Sequence, residues 1–384
     1  MEHIKQIKKN PMYRFLMLLT VASTAGLQTW QSLFNNFAVD KVGLNGNHMG
    51  MIQAIREVPG FLALLVVFCL LYIKEYRLSA LSIVILGIGV AITGMMPSYG
   101  GLIISTLVMS FGFHYYETTN QSLTLQYFDL TATPWVLGKQ RSYTAAANVV
   151  IGVLIFFVQP YMSYKFMYLV FGSAILVMGI WAFSKNPSDK NIIPQHKKMF
   201  LRKKYSLYYF LTFMAGARRQ IFTAFAVFLM VQKFNYTVQE IVVLFIINNV
   251  INYFLNPLIG LAINKLGERK LLTMEYSSVF FIFLAYAFAQ FKYQLAILYI
   301  LDQIFFNFSI AIRTYFQKIG DPRDIAPTMA VGFTINHIAA VALPVMGGIL
   351  WIIDYRLPFI IGSGLSVISL AAVQRIRIPK KVGS

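Results

Sequence analysis

Gly260-Leu261-Ala262-Ile263-Asn264-Lys265-Leu266-Gly267-Glu268-Arg269-Lys270 joins two long apolar runs. Gly260 projects nothing from its Cα, so a neighbouring helix can approach its backbone closely. Gly267 permits a tight turn that a side chain would hinder. Lys265, Arg269 and Lys270 concentrate positive charge in this short connector, and such charge stays on the cytoplasmic side during membrane insertion. The runs on either side, 239–263 and 271–290, are each long enough to cross the hydrocarbon core, which takes about 20 apolar residues.

Ten further runs of this kind extend outward through the 384 residues: 14–37, 48–72, 78–96, 101–126, 142–162, 165–184, 207–231, 294–314, 327–350 and 356–374. Hydrophobic residues make up 58% of the chain and charged ones 12%, about half the usual charged share of a soluble domain. The expected fold is therefore an all-α polytopic membrane protein of twelve spans. Its connectors are short, with turn residues such as Gly43-Leu44-Asn45-Gly46 and Asp321-Pro322. The exception is 185–206, a basic stretch with Pro187 and Pro194, which divides the chain into six-span bundles at 1–184 and 207–384. The basic N-terminus runs into an apolar span too long for a cleaved signal, which reads as a retained first helix. The single cysteine, Cys69, excludes an intramolecular disulfide.

Net charge is +19, which on its own would suggest nucleic acid. The distribution of the basic residues argues otherwise. Of 33 Lys and Arg, 25 lie at the termini, in the central stretch or in alternate connectors. Five lie on the opposite side, and Arg56, Arg218 and Arg219 lie within spans. This is a topology signal: both termini and the central stretch are expected in the cytoplasm of a cell (plasma or inner) membrane protein. The bilayer is the expected macromolecular partner, and no nucleic acid is.

The halves align at a nearly constant offset. Gln28 falls on Gln220, Lys41 on Lys233, Arg77 on Arg269, His114 on Asp302 and Asn148 on Asn336. Two homologous bundles related by a pseudo-two-fold axis are a transporter architecture. The 260–270 stretch resembles the cytoplasmic loop motif of the major facilitator superfamily, Gly-x-x-x-Asp-Arg-x-Gly-Arg-Arg/Lys. Here Asn264 replaces the usual Asp, and the first-half copy, Tyr72-Ile73-Lys74-Glu75-Tyr76-Arg77, carries no glycine. Pro344-Val345-Met346-Gly347-Gly348 is similar to a family helix-packing motif. The resemblance in architecture covers nearly the whole chain. It implies alternating access, a monomer, a gating loop of Gly260, Asn264, Gly267, Arg269 and Lys270, and a central cavity lined by spans one, four, seven and ten.

Those four spans carry the polar residues. Thr20, Thr24, Gln28, Gln31 and Asn35 share a face of span one, as do Ser110, His114, Glu117 and Gln121 in span four and Thr212, Gly216, Arg219 and Thr223 in span seven. Span ten supplies Asp302, Gln303 and Asn307, and span eight an asparagine ladder, Asn248, Asn252 and Asn256, that reads as helix glue. An ionisable group at the bilayer centre costs about 2.5–3.5 kcal/mol on insertion scales, so each must pair or line a wet cavity. His114, Glu117 and Asp302 are the titratable candidates for proton coupling. Arg219, Arg218 and Arg56 are candidates to meet an anionic solute, with Gln28, Gln31, Gln121, Gln303 and Asn307 as uncharged ligands. Gly216 would leave room for the ligand, and an ion pair of Arg219 with Glu117 or Asp302 is the structural alternative.

The reading is a secondary active transporter of a small anionic solute, coupled to protons. It is not an enzyme, and no cofactor is implied, since no phosphate-binding lysine loop or nucleotide domain is present. The alternatives are efflux of apolar or cationic compounds, a metal carrier using His114 and Glu117, and a substrate-free sensor. No His-Glu-x-x-His or second His/Cys cluster reinforces the metal reading.

Overall fold

The computed structural model describes residues 2–44, 46–189, 195, 201–236 and 238–378. Residues 190–194 and 196–200 of the 185–206 stretch lie outside them. Each of the twelve expected spans coincides with a helical segment. The helices of the first half are α1 (Glu2–Lys9), which precedes the first span, α2 (Pro11–Val42), α3 (Gly46–Phe61), α4 (Val66–Cys69), α5 (Glu75–Thr93), α6 (Tyr99–Tyr127), α7 (Thr133–Val158) and α8 (Tyr164–Ser184). In the second half they are α9 (Ser206–Phe234), α10 (Val238–Leu266), α11 (Glu268–Phe288), α12 (Lys292–Phe306), α13 (Ile310–Ile319), α14 (Ile325–Ile353) and α15 (Leu357–Val373). Six stretches among the described residues are long and apolar enough to cross a membrane by length and composition alone, and Leu357–Val373 is apolar but shorter. α2, α6 and α9 are as long. They carry the polar stripes.

Two spans are not continuous helices. A 3₁₀ turn at Leu62–Leu65 separates α3 from α4, and another at Asn307–Ser309 separates α12 from α13. α7 begins nine residues before the expected start of its span. Asp129 accepts hydrogen bonds from the Thr131 and Ala132 amides, 2.8 Å each, and Pro134 sits in the first turn, where its missing N–H costs nothing.

The chain forms two compact units. The first comprises 1–128, 143–200 and 323–334; the second comprises 129–142, 201–322 and 335–384. They follow the linear division except for two exchanged segments, the start of α7 and the start of α14. In the first unit α5 lies against α6 and α8 at backbone distance. A Cβ on Gly112 would stand 2.4 Å from the Leu86 amide nitrogen, and one on Gly172 2.4 Å from that of Ala91. Without a hydrophobic effect between helices in lipid, such close packing is the main source of association. Thr334, in the exchanged segment, fills the break in span two: its Oγ1 accepts from the Leu64 amide (3.1 Å) and donates to the Phe61 carbonyl (3.0 Å).

The second unit is built on an aromatic core of Phe222, Phe225, Phe283, Tyr286, Tyr299 and Phe359. At the α10–α11 turn Gly267 has φ +77°, a conformation that side chains resist. The start of α7 packs on α10, where a Cβ on Gly260 would meet the Pro134 carbonyl at 2.2 Å and one on Gly138 the Asn256 carbonyl at 2.4 Å. The Ser142 hydroxyl bonds the Tyr253 carbonyl at 2.5 Å along the same seam.

Candidate functional site

In the first unit the α6 stripe is only partly assembled as the spacing suggests. Ser110 is buried, and its hydroxyl donates to the Arg56 carbonyl. His114 is buried, with its ring edge-on to Phe113 and Phe333, 5.1 and 5.8 Å between centroids. Arg56 pairs with its neighbour Glu57 (Nη2–Oε1 2.5 Å), and its guanidinium lies over Trp30. A Glu57 carboxylate oxygen comes within 4.8 Å of a His114 ring nitrogen. The carboxylate brought to His114 from another helix is thus Glu57, which the sequence reading did not single out as a site residue. Glu117 is half-buried, and Gln121 Nε2 lies 3.5 Å from its Oε2.

The α2 stripe divides in two. Thr20 shares a 2.9 Å hydrogen bond with the Tyr116 hydroxyl, and Thr24 donates to Thr144 at 3.3 Å, so the inner part is helix packing. Gln28 bonds Ser32 along its own helix, and Gln31 is exposed. That outer end adjoins a cleft of 480 Å³ lined by Ser32, Gln159, Tyr161 and Tyr164, among others. The side chain of Asn35 lies outside the description.

The second unit holds the denser cluster. Arg218, midway along α9, is 3% exposed and pairs with Glu275 of α11 (Nη2–Oε1 2.6 Å), which is fully buried. Asp302 of α12, 2% exposed, stands within electrostatic reach of both Arg218 and Glu275. Phe306 is flanked by two guanidinium groups, Arg218 at 5.3 Å and Arg141 at 5.7 Å from its ring centre. Arg141 also donates to the Asn307 carbonyl (2.8 Å), Asn307 Oδ1 (2.9 Å) and Ser309 Oγ (3.1 Å). The backbone carbonyl at the break in span ten therefore has a charged donor. Asn307 Nδ2 donates in turn to Asn252 Oδ1 at 2.8 Å, joining the asparagine ladder to the cluster. Gln303 is half-buried, and its carbonyl accepts from Asn307.

Two readings of the sequence need correction, and one ion pair is added to them: Arg218 is sealed with Glu275, a residue absent from the sequence-based site. Arg219, about 100° round the helix, is only half-buried. Gly216 leaves no room for a ligand, because α14 fills it: a Cβ there would stand 2.6 Å from the Asn336 carbonyl. Arg141, counted with a connector, belongs to a helix and to the cluster, because α7 starts at Thr133.

Two of the loop residues are held by side-chain hydrogen bonds. Asn264 Nδ2 donates to the Thr131 carbonyl at 2.7 Å, and Arg269 donates twice to Gln374 Oε1, at 3.1 and 3.0 Å. Lys270 is exposed. Beside them Lys318 pairs with the fully buried Glu268 at 2.7 Å.

No protein-family model matches the sequence, and no curated protein matches it. Solved structures do. The human organic anion transporter MFSD10 (TETRAN) is similar at a TM-score of 0.76 and 11% identity, over 95% of this chain and 99% of that one. The major facilitator superfamily transporter FucP in the outward conformation gives 0.74 and 12%, over 96% and 99%. The proton:xylose symporter XylE gives 0.76 and 10%, over 97% and 96%. The chain therefore has the fold of the major facilitator superfamily, a multi-pass membrane architecture of twelve helices in two six-helix bundles.

Proposed function

We propose that this protein is a secondary active transporter of a small anionic solute, coupled to protons and working by alternating access between its two repeats. The observation that carries the reading is the pair of successive arginines in mid-α9. Arg218 is neutralised inside the unit by Glu275, and Arg219 presents a second guanidinium on a less buried side of the same helix. Two cations in the middle of a membrane helix are costly, and a function that needs positive charge there is a reason for both to be kept. A guanidinium offers five donors in a fork that suits carboxylate or phosphate oxygens. Among the structural relatives, MFSD10 is an organic anion transporter and XylE a proton symporter, which agrees with both halves of the reading at the level of fold.

Screening purified protein against anionic and neutral solutes by thermal shift identifies the ligand. Arg219→Lys keeps the charge and loses the fork, and it should weaken binding of that ligand more than tenfold. Unchanged affinity in Arg219→Lys, or stabilisation only by neutral or cationic solutes, would refute the anion reading.

A further inference from the structure

The 480 Å³ cleft at the outer end of α2 lies where α7 ends and α8 begins. Its volume is that of a small-ligand site. The α7–α8 turn that walls it is on the side opposite the basic connectors, and the Tyr161 and Met162 amides close it on the Val158 carbonyl, at 3.0 and 3.1 Å. Phe156, Phe157, Tyr161 and Tyr164 give the cleft aromatic walls. The Phe37 ring stands 5.7 Å from that of Tyr164, and the Tyr164 hydroxyl donates to Asp40 Oδ2 at 3.0 Å. Ser32 Oγ accepts from Gln28, which leaves its own proton to donate, and the Gln159 amide lines the same space. Among the described residues no Lys or Arg lines the cleft; Lys41 and Lys165, next in sequence to Asp40 and Tyr164, are exposed. An apolar ridge leads from the cleft along α7. Val150, Val153, Leu154 and Phe157 fall at helical spacing and are 45–66% exposed. In a bilayer such a ridge meets acyl chains, and aromatic rings at a span's end meet headgroups. Phe157 belongs to both ridge and cleft, so one amphiphile can occupy the two together.

We infer that this cleft binds one zwitterionic phospholipid of the adjoining leaflet. Its ammonium group sits against the Tyr161 and Tyr164 rings, in the field of the Asp40 carboxylate. Aromatic faces attract such a cation electrostatically, and quaternary ammonium groups are commonly held this way. The phosphate oxygens accept from Ser32 and Gln159, and one acyl chain lies along Val150, Val153, Leu154 and Phe157. Each charge of the headgroup thus has its own wall: rings and a carboxylate for the cation, neutral donors for the anion. A phospholipid of net negative charge lacks the first match and meets Asp40 as a like charge. The site stands apart from Arg218 and Arg219 and needs no transported solute.

The test is native mass spectrometry of the purified full-length chain in detergent, mixed with equal amounts of phosphatidylcholine and phosphatidylglycerol of identical acyl chains. The wild-type protein should retain phosphatidylcholine in preference to phosphatidylglycerol. Tyr161→Ala should cut phosphatidylcholine retention about two- to fivefold, the weight of a cation–π contact at an exposed site. Asp40→Asn should narrow the preference between the two lipids. Tyr161 is 88% exposed and Asp40 is exposed, so neither substitution removes packing. Tyr72→Ala, which removes an equally exposed tyrosine (87%) beside the basic connector at Lys74 and Arg77, should change nothing. Choline chloride in excess should leave the lipid in place, because the acyl chain stays on its ridge. Equal retention of the two lipids by the wild type, unchanged retention in Tyr161→Ala, an unchanged preference in Asp40→Asn, or a loss in Tyr72→Ala matching that in Tyr161→Ala would overturn the assignment. Displacement by choline would overturn it too, in favour of a soluble cation.

Discussion

Arg218 shows how much one buried guanidinium can decide. Removing one partner of a buried ion pair costs about 3–5 kcal/mol, because the other is left uncompensated. The two partners here are not equivalent. Arg218→Gln strands two carboxylates and should lower the melting temperature most. Glu275→Gln leaves Arg218 with Asp302 still in the same cluster and should cost less, and Arg218→Gln/Glu275→Gln should recover part of the loss. Thermal denaturation in detergent ranks the three, and equal losses in the two single variants would contradict the shared-arginine arrangement. The sequence announced Arg218 and Asp302 because ionisable residues in apolar runs are conspicuous. Glu275 sits in the apolar run 271–290, without the long row of polar residues at helical spacing that marks α2, α6 and α9. Its significance comes from α9 facing it across the unit, 57 residues away in sequence. Helical spacing places His114 and Glu117 on one face of α6. The carboxylate that reaches His114, however, comes from α3, which helical spacing cannot reveal.

At the scale of the helix, the spans were legible because each must satisfy the hydrocarbon core by its own composition. The two breaks were not, because their freed backbone groups are satisfied by distant side chains: Thr334 for span two and Arg141 for span ten. The α7–α10 seam was half legible. Gly260 reads as a site of close approach, but its partner, the Pro134 carbonyl, lies in a segment whose sequence reads as a connector. Gly260→Ala must displace backbone and should destabilise the protein by about 1–3 kcal/mol, the usual cost of overpacking. Gly152→Ala, in the same α7 but with nothing near its Cβ, should be neutral or stabilising by up to about 1 kcal/mol. Equal effects of the two would show that the seam is not tight. Asn264 carries a further consequence. Its amide donates to the Thr131 carbonyl, and an aspartate cannot. Restoring the family's usual residue with Asn264→Asp should therefore weaken this contact by about 1 kcal/mol. Proteolysis or hydrogen exchange at 129–135 would register it, and tighter protection in the aspartate variant would refute it.

At the scale of the molecule, the repeats are legible as a linear duplication, and the compact units are not quite linear. The first unit incorporates 323–334, and the second incorporates 129–142. Fragments ending and beginning in the central stretch, 1–195 and 196–384, should each be degraded or aggregated when expressed alone and should accumulate together when co-expressed. Either fragment accumulating alone as a monodisperse species would contradict the exchange. The same exchange bears on how the chain is made. A ribosome releases residues in order at about 5–20 per second, and domains ordinarily close as they emerge. This first unit cannot. Span two keeps an unfilled break until Thr334 arrives, some 270 residues after Leu64. At that pace the wait is roughly 14–54 seconds. Through that interval the early helices sit in the bilayer with unpaired backbone groups, open to wrong partners and to membrane proteases. Completion of the older half thus waits on synthesis of the younger, which makes late truncation harmful to residues translated long before it.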